Sequence, residues 1–102
     1  YDCPVAVCPT HDAHTGHAAP LRALLDAGVR VALGTSPARA TALPDPLSAA
    51  RAAAHAAALT PAEALHLATL GAARALDLAD DTGSLDVGKQ ADLAAFPLAA
   101  PT

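Results

Sequence analysis

Methionine and tryptophan are absent from this sequence, and its aromatic residues are Tyr1 and Phe96 alone. Without large rings the core must be built from small side chains, and much of the 53% hydrophobic fraction is alanine. Burial gains roughly 25 cal/mol per Å2 of apolar surface, so an alanine methyl contributes little. A thin core is therefore expected in a chain of 102 residues, a size at which domains are already marginal. Positive charge is scarce too. Six basic residues stand against ten acidic ones, for a net charge of −4, so no patch is available to release counterions from nucleic acid. A breaker-free run of about 18 apolar residues is lacking, which argues against a membrane span. Nor does a basic stretch followed by an apolar one mark a secretory leader, and the cytoplasm is the default expectation. Translation starts at methionine, so a sequence opening on Tyr1 reads as a fragment. Finally, no CxxC spacing is present. Cys3 and Cys8 read as two small apolar residues on or beside a strand, with a disulfide or a metal pair as the alternatives.

What is present follows an alternating pattern. Residues 29–33, β-branched at both Val29 and Val31, read as a buried strand that stops at Gly34-Thr35. Active groups of αβ folds gather at the carboxyl ends of strands. Position 36 is therefore where chemistry is expected, and it holds Ser36, a neutral hydroxyl. Residues 5–8 read as a second short strand, closed by Pro9. The polar stretch after it carries His11, Asp12, His14 and His17. Three histidines at a spacing of three could share a helix face, but Gly16 and the Thr/Asp content favour a loop. Three outcomes stay open for that loop: lining a substrate pocket, binding metal with Asp12 or Cys8 as fourth ligand, or lying solvated.

Residues 20–27 read as a helix, with Pro20 in the first turn, a stripe of Leu21, Leu24 and Leu25, and Gly28 as terminator. A proline-containing loop occupies residues 33–46. Asp45-Pro46 then caps a helix reaching about residue 58, on which His55 reads as a surface or partly buried residue. Thr60-Pro61-Ala62-Glu63 is a capping box. The helix it opens carries His66, read as a packing or surface residue, and Gly71 marks either a kink or the start of a second short helix through Leu76. After the turn Asp80-Asp81-Thr82-Gly83, residues 84–96 read as a pair of short strands whose apolar face nothing in this chain covers.

Four motifs, in this order, carry a resemblance over nearly the whole chain. They are Cys8-Pro9-Thr10 with Gly16-His17 and Pro20; Val31-Ala32-Leu33-Gly34-Thr35; Leu67-Ala68-Thr69-Leu70-Gly71-Ala72-Ala73-Arg74-Ala75-Leu76; and Gly83-Ser84-Leu85-Asp86-Val87-Gly88-Lys89-Gln90-Ala91-Asp92-Leu93. They resemble the C-terminal part of a metal-dependent amidohydrolase, of the heterocycle deaminase and chlorohydrolase-like branch. The last motif, similar to the family's "G-x-L-x-x-GK-x-ADL", is the most specific. The resemblance implies an α/β fold: the last two strands and closing helices of a (β/α)8 TIM barrel in residues 1–79. Residues 80–102 would return to a small composite β-sandwich. The intact family holds a divalent metal, zinc or iron, which lowers the pKa of a bound water for attack on an electron-poor carbon.

This chain departs from that pattern. It has no HxH pair, and Ser36-Pro37-Ala38 follows Gly34-Thr35 as though the aspartate of "GTDSPA" were deleted. His11-Asp12 stands where the family has "SN". No catalytic or metal-ligating residue is therefore assigned within this chain, and His11, Asp12, His14 and His17 remain candidates for a substrate loop. Three readings result. The chain is an amidohydrolase fragment, inactive alone, from a parent that hydrolyses a non-peptide C–N bond in a purine-like or other heterocyclic small molecule. Alternatively it is a non-catalytic interaction or scaffold module reusing the barrel end. The third, a half-enzyme active with a separate N-terminal barrel half, is weakened by Ser36.

Overall fold

Alternating branched and small residues at Val5–Val7 and Val31–Leu33 form the two strands, β1 and β2, of this computed structural model. The structure describes residues 3–10, 12, 16–17, 19–35 and 45–97. The strands pair in parallel, Val5 opposite Val31 and Val7 opposite Leu33. The crossover between them contains helix α1, Leu21–Asp26, as a parallel pair requires a long connection. Three further helices follow: α2, Pro46–Ala57; α3, Pro61–Ala68; and α4, Leu70–Ala75.

Each helix boundary has a local cause. The α1 helix ends in a Schellman arrangement: the Gly28 amide donates to the Leu25 carbonyl and the Val29 amide to the Leu24 carbonyl, each at 3.0 Å. That use of Val29 is why β2 begins at Val31, two residues later than the β-branched run suggests. Pro20 stands at the N-cap, with φ −78° and ψ 67°, and not inside the first turn. For α2, the Asp45 carboxylate accepts from the Leu47 amide, and Pro46 occupies the first turn. The α3 capping box is complete, with Thr60 Oγ1 accepting from the Glu63 amide and Glu63 Oε1 from the Thr60 amide.

Of the two outcomes expected near Gly71, a kink or a second short helix, the second forms, with the break at Thr69 (φ −127°, ψ −101°) and α4 over Leu70–Ala75. Gly71 has a different task. A Cβ there would lie 2.9 Å from the His66 carbonyl oxygen, so its hydrogen lets α4 start against the end of α3.

The core runs from the sheet into the helices: Val7, Leu21 and Val31 pack with Ala50, Ala53 and Ala57 of α2, then Leu59, Ala64 and Leu67. Ala49 and Ala53 have no exposed surface at all. Alanine dominates this interior, as the shortage of aromatics requires.

Two expectations fail among the described residues. The stretch after β1 is not a plain loop: Pro9, Thr10 and Asp12 are helical. The Asp12 amide donates to the Cys8 carbonyl and the Gly16 amide to the Asp12 carbonyl, both at 2.9 Å. Gly16 itself turns at φ +78°, a conformation glycine adopts readily. Residues 84–96 also form no strand. A strand needs a neighbour for its amides and carbonyls, and among the described residues none lies beside them. Leu85, Val87, Leu93 and Phe96 are correspondingly exposed.

Candidate functional site

Parallel pairing brings the carboxyl ends of β1 and β2 to the same side of the sheet. The Gly34 amide donates to the Val7 carbonyl at 2.8 Å, extending the ladder one step past the strands. Cys8 then lies beside Gly34: a Cβ on Gly34 would stand 3.3 Å from Cys8 Sγ. The thiol is free and half-buried, while Cys3 is free and exposed. In an extended chain, five residues span about 16 Å, beyond the reach of a disulfide, so strand β1 holds the two cysteines apart.

One helical turn beyond Cys8 stands Asp12, half-buried. His17 follows the Gly16 turn and is exposed, as is Thr35 past the end of β2. The structure thus brings Cys8, Asp12, Gly34 and Thr35 to one end of the sheet. His11, His14 and Ser36 lie outside the described residues. Among the described residues, no group of three or more His, Cys, Asp and Glu side chains could hold a metal ion.

The resolved electrostatic perturbations sit at structural positions. Hydrogen bonds from Ser48 and the Leu47 amide hold the Asp45 carboxyl below its ordinary range. Glu63 is lowered by the Thr60 amide and then by Arg22, and Asp86 by the Ser84 hydroxyl and then Lys89. Lys89 Nζ donates to Ser84 Oγ at 2.7 Å, and Ser84 Oγ donates to Asp86 at 2.6 Å. This network fixes the turn in Gly83-Ser84-Leu85-Asp86-Val87-Gly88-Lys89. It explains that motif as local structure.

Two arginines that sequence reasoning passed over tie the elements together. Arg22 on α1 donates to the carbonyls of Ala57 and Ala58 at 3.2 and 3.3 Å, capping α2. It also pairs with Glu63 at 3.5 Å. Arg30, just before β2, donates to the Arg74 carbonyl at 2.9 Å and to Asp77 at 3.0 Å, capping α4. The spacing between these partners is long-range, so no local pattern signals them. An open groove of about 460 Å3 lies between α1 and α3, lined by Arg22, Leu25, Asp26, Glu63 and His66 among others. Another, of about 390 Å3, lies by Arg30, Arg74, Asp77 and Asp80, at the opposite end of β2 from Gly34. His55 and His66 are both exposed.

The model of the family described as "Amidohydrolase family" matches residues 3–102. This chain belongs to the amidohydrolase family. Among its relatives, an imidazolonepropionase of Geobacillus kaustophilus is 46% identical over 81 residues, which are 78% of this chain and 19% of that protein. One from Rhizobium rhizogenes is 42% identical over 88 residues, 80% of this chain and 20% of the other. The chain therefore spans about a fifth of the length of these curated relatives.

Solved structures agree on the family and on the fold. A zinc-bound adenosine deaminase from Xanthomonas campestris superposes with a TM-score of 0.80 at 38% identity, covering 87% of this chain and 22% of that one. Escherichia coli guanine deaminase gives 0.78 at 30% identity, with 88% and 22% covered. This amidohydrolase segment is thus an α/β unit of the kind those enzymes contain. Its described residues, however, do not by themselves make a zinc donor set.

Proposed function

We propose that this segment supplies the last two strands and closing helices of a (β/α)8 barrel, in residues 1–79, and the return strand region of a small β-sandwich, in residues 80–102. The whole protein would hydrolyse a non-peptide C–N bond of a small nitrogen heterocycle, of the imidazolone or aminopurine type. The observation that carries this reading is the parallel β1–β2 pair with both carboxyl ends at one face, within a unit that superposes on two deaminases. In such folds that face holds the reaction.

The sequence relatives favour an imidazolone over an aminopurine as the substrate. Alone, the segment is inactive in this reading. Its partner is the remaining barrel, and the divalent metal, zinc or iron, belongs to the assembled protein. The described residues do not form its donor set, and no step is assigned through it. The substrate-loop role is retained for Asp12 and His17, and for His11 and His14 in the same stretch.

The test pairs the full 102-residue chain with the remaining four fifths of the Geobacillus kaustophilus imidazolonepropionase, co-expressed in zinc-supplemented medium. Imidazolone turnover by the pair once an Asp is inserted between Thr35 and Ser36, and none by either piece, is the expected result. If the pair assembles but turns over neither an imidazolone nor an aminopurine, the enzymatic reading falls. A second reading, a non-catalytic interaction module, draws on exposed Leu85, Val87, Leu93 and Phe96. It would stand if the two pieces assemble without any activity.

A further inference from the structure

Asp45-Pro46 is the one Asp–Pro pair in the chain. An aspartate carboxylate stands on the same residue as the carbonyl of the peptide bond that follows it, so its attack on that carbonyl is intramolecular. Proline makes the bond easier to break, because its ring nitrogen is a tertiary amide and leaves as a basic secondary amine. That nitrogen carries no N–H, so α2 has no hydrogen bond to lose there. Asp45 and Pro46 are both exposed, and solvent acid and water reach the bond. What restrains it is the cap. Asp45 Oδ1 accepts from the Leu47 amide at 3.1 Å and Oδ2 from the Ser48 hydroxyl at 2.7 Å, so each oxygen is engaged by the helix. The Asp45 carbonyl accepts from the Ala49 amide at 3.0 Å, which holds the scissile group itself in the first turn.

We propose that the Asp45–Pro46 bond is a self-scission site, kept latent by the cap on α2 and opened when that cap is released. The site is independent of the hydrolytic reading above. In the first step a carboxylate oxygen of Asp45 bonds to the Asp45 carbonyl carbon, and the C–N bond to Pro46 breaks. The departing nitrogen takes a proton from solvent acid. The cyclic anhydride left on Asp45 then adds one water and releases a proton, giving one piece of residues 1–45 and another of residues 46–102. Water alone is consumed. The cut leaves the long-range ties of the fold in place. Val7, Leu21 and Val31 on the first piece pack with Ala50, Ala53 and Ala57 on the second. Arg22 reaches the Ala57 and Ala58 carbonyls, and Arg30 reaches Asp77, across the same division. The product is therefore a two-piece complex.

The experiment holds the full 102-residue chain at about pH 4, where a free carboxylate is about half ionised and acid is available. Incubations in buffer and in urea are followed by mass spectrometry of the two pieces. The wild-type chain should be cut faster in urea, where the cap is gone, than in buffer. Ser48→Ala removes one hydrogen bond of the cap, so in buffer it should be cut about fivefold faster than wild type. In urea the two should be equal. Thr60→Ala weakens a different helix start by a similar amount and should be cut more slowly in buffer than Ser48→Ala. Asp45→Asn should abolish cleavage in both conditions, and the pieces from buffer should elute together on size exclusion. Equal wild-type rates in buffer and urea overturn the inference, as does the absence of cleavage in urea. So does cleavage of Asp45→Asn, which would be ordinary acid hydrolysis. Equal acceleration by Ser48→Ala and Thr60→Ala overturns it as well, since the bond would then open through global unfolding and not through the cap. Pieces that separate after the cut overturn the two-piece product.

Discussion

At the scale of single residues, backbone conformation explains more of this chain than side-chain chemistry does. Ala58 ends α2 in the left-handed region at φ 52°, where an L side chain crowds its own carbonyl. Ala58→Gly is therefore expected to stabilise the chain by about 1 kcal/mol, read from the urea midpoint. The converse change, Gly28→Ala, should cost about 1 kcal/mol. Gly28 sits at φ +78° with nothing within 4 Å of an added Cβ, so its cost is conformational alone. Gly83→Ala should be worse than Gly28→Ala, since at φ +97° its Cβ would also meet Ala73 at 2.8 Å. Equal losses at Gly28 and Gly83 would show that this close approach is absent in solution.

Helix ends decide the next scale. Thr60→Ala removes one half of the α3 capping box and should lower stability by about 1 kcal/mol. Arg22→Met takes the donor from the Ala57 and Ala58 carbonyls while keeping an apolar stem. About 1 kcal/mol is expected there, because the side chain is part-exposed and its ion pair with Glu63 is screened. Combining Arg22→Met with Glu63→Gln should cost less than the sum, as the two share a partner.

Carboxylates at these ends also set the pH response. Asp45, Glu63 and Asp86 are all held below their ordinary values by hydrogen bonds. The unfolded chain therefore binds their protons at a higher pH than the folded one. Their stabilisation is present above the ordinary carboxylate range, about pH 4, and is lost as pH falls through the folded values. Unfolding midpoints taken from neutral to acid pH should fall there. Asp45→Asn should flatten part of that fall.

For the molecule as a whole, the decisive feature is apolar surface left without cover. Leu76, Leu85, Val87, Leu93 and Phe96 are each more than half exposed, and among the described residues no third strand pairs with β1 or β2. Edges and patches of this kind seek partners. Sedimentation at rising concentration should show the chain associating by itself. Adding the complementary four fifths of the Geobacillus relative should replace that self-association with a defined complex. Val87→Asp together with Leu93→Asp should weaken both. None of the described helices is long and apolar enough to cross a membrane.

The sequence alone determined what depends on near neighbours. Asp45-Pro46 and the capping box at Thr60 set two helix starts, Gly28 set one end, and Val31-Ala32-Leu33-Gly34-Thr35 with the motifs around it pointed to the amidohydrolase family. Tertiary structure decided what depends on distant ones. The capping of α2 by Arg22 and of α4 by Arg30 joins residues 35 to 47 positions apart, and no short-range pattern encodes such a pair. The helical placement of Asp12 was missed for a local reason: Thr, Asp and Gly favour turns by composition, whereas bonds to Cys8 and Gly16, each four residues away, hold its backbone. The absent strands of residues 84–96 teach the same point from the other side. A strand is completed by hydrogen bonds from its neighbours, so local propensity there proposes what only an adjacent strand could realise.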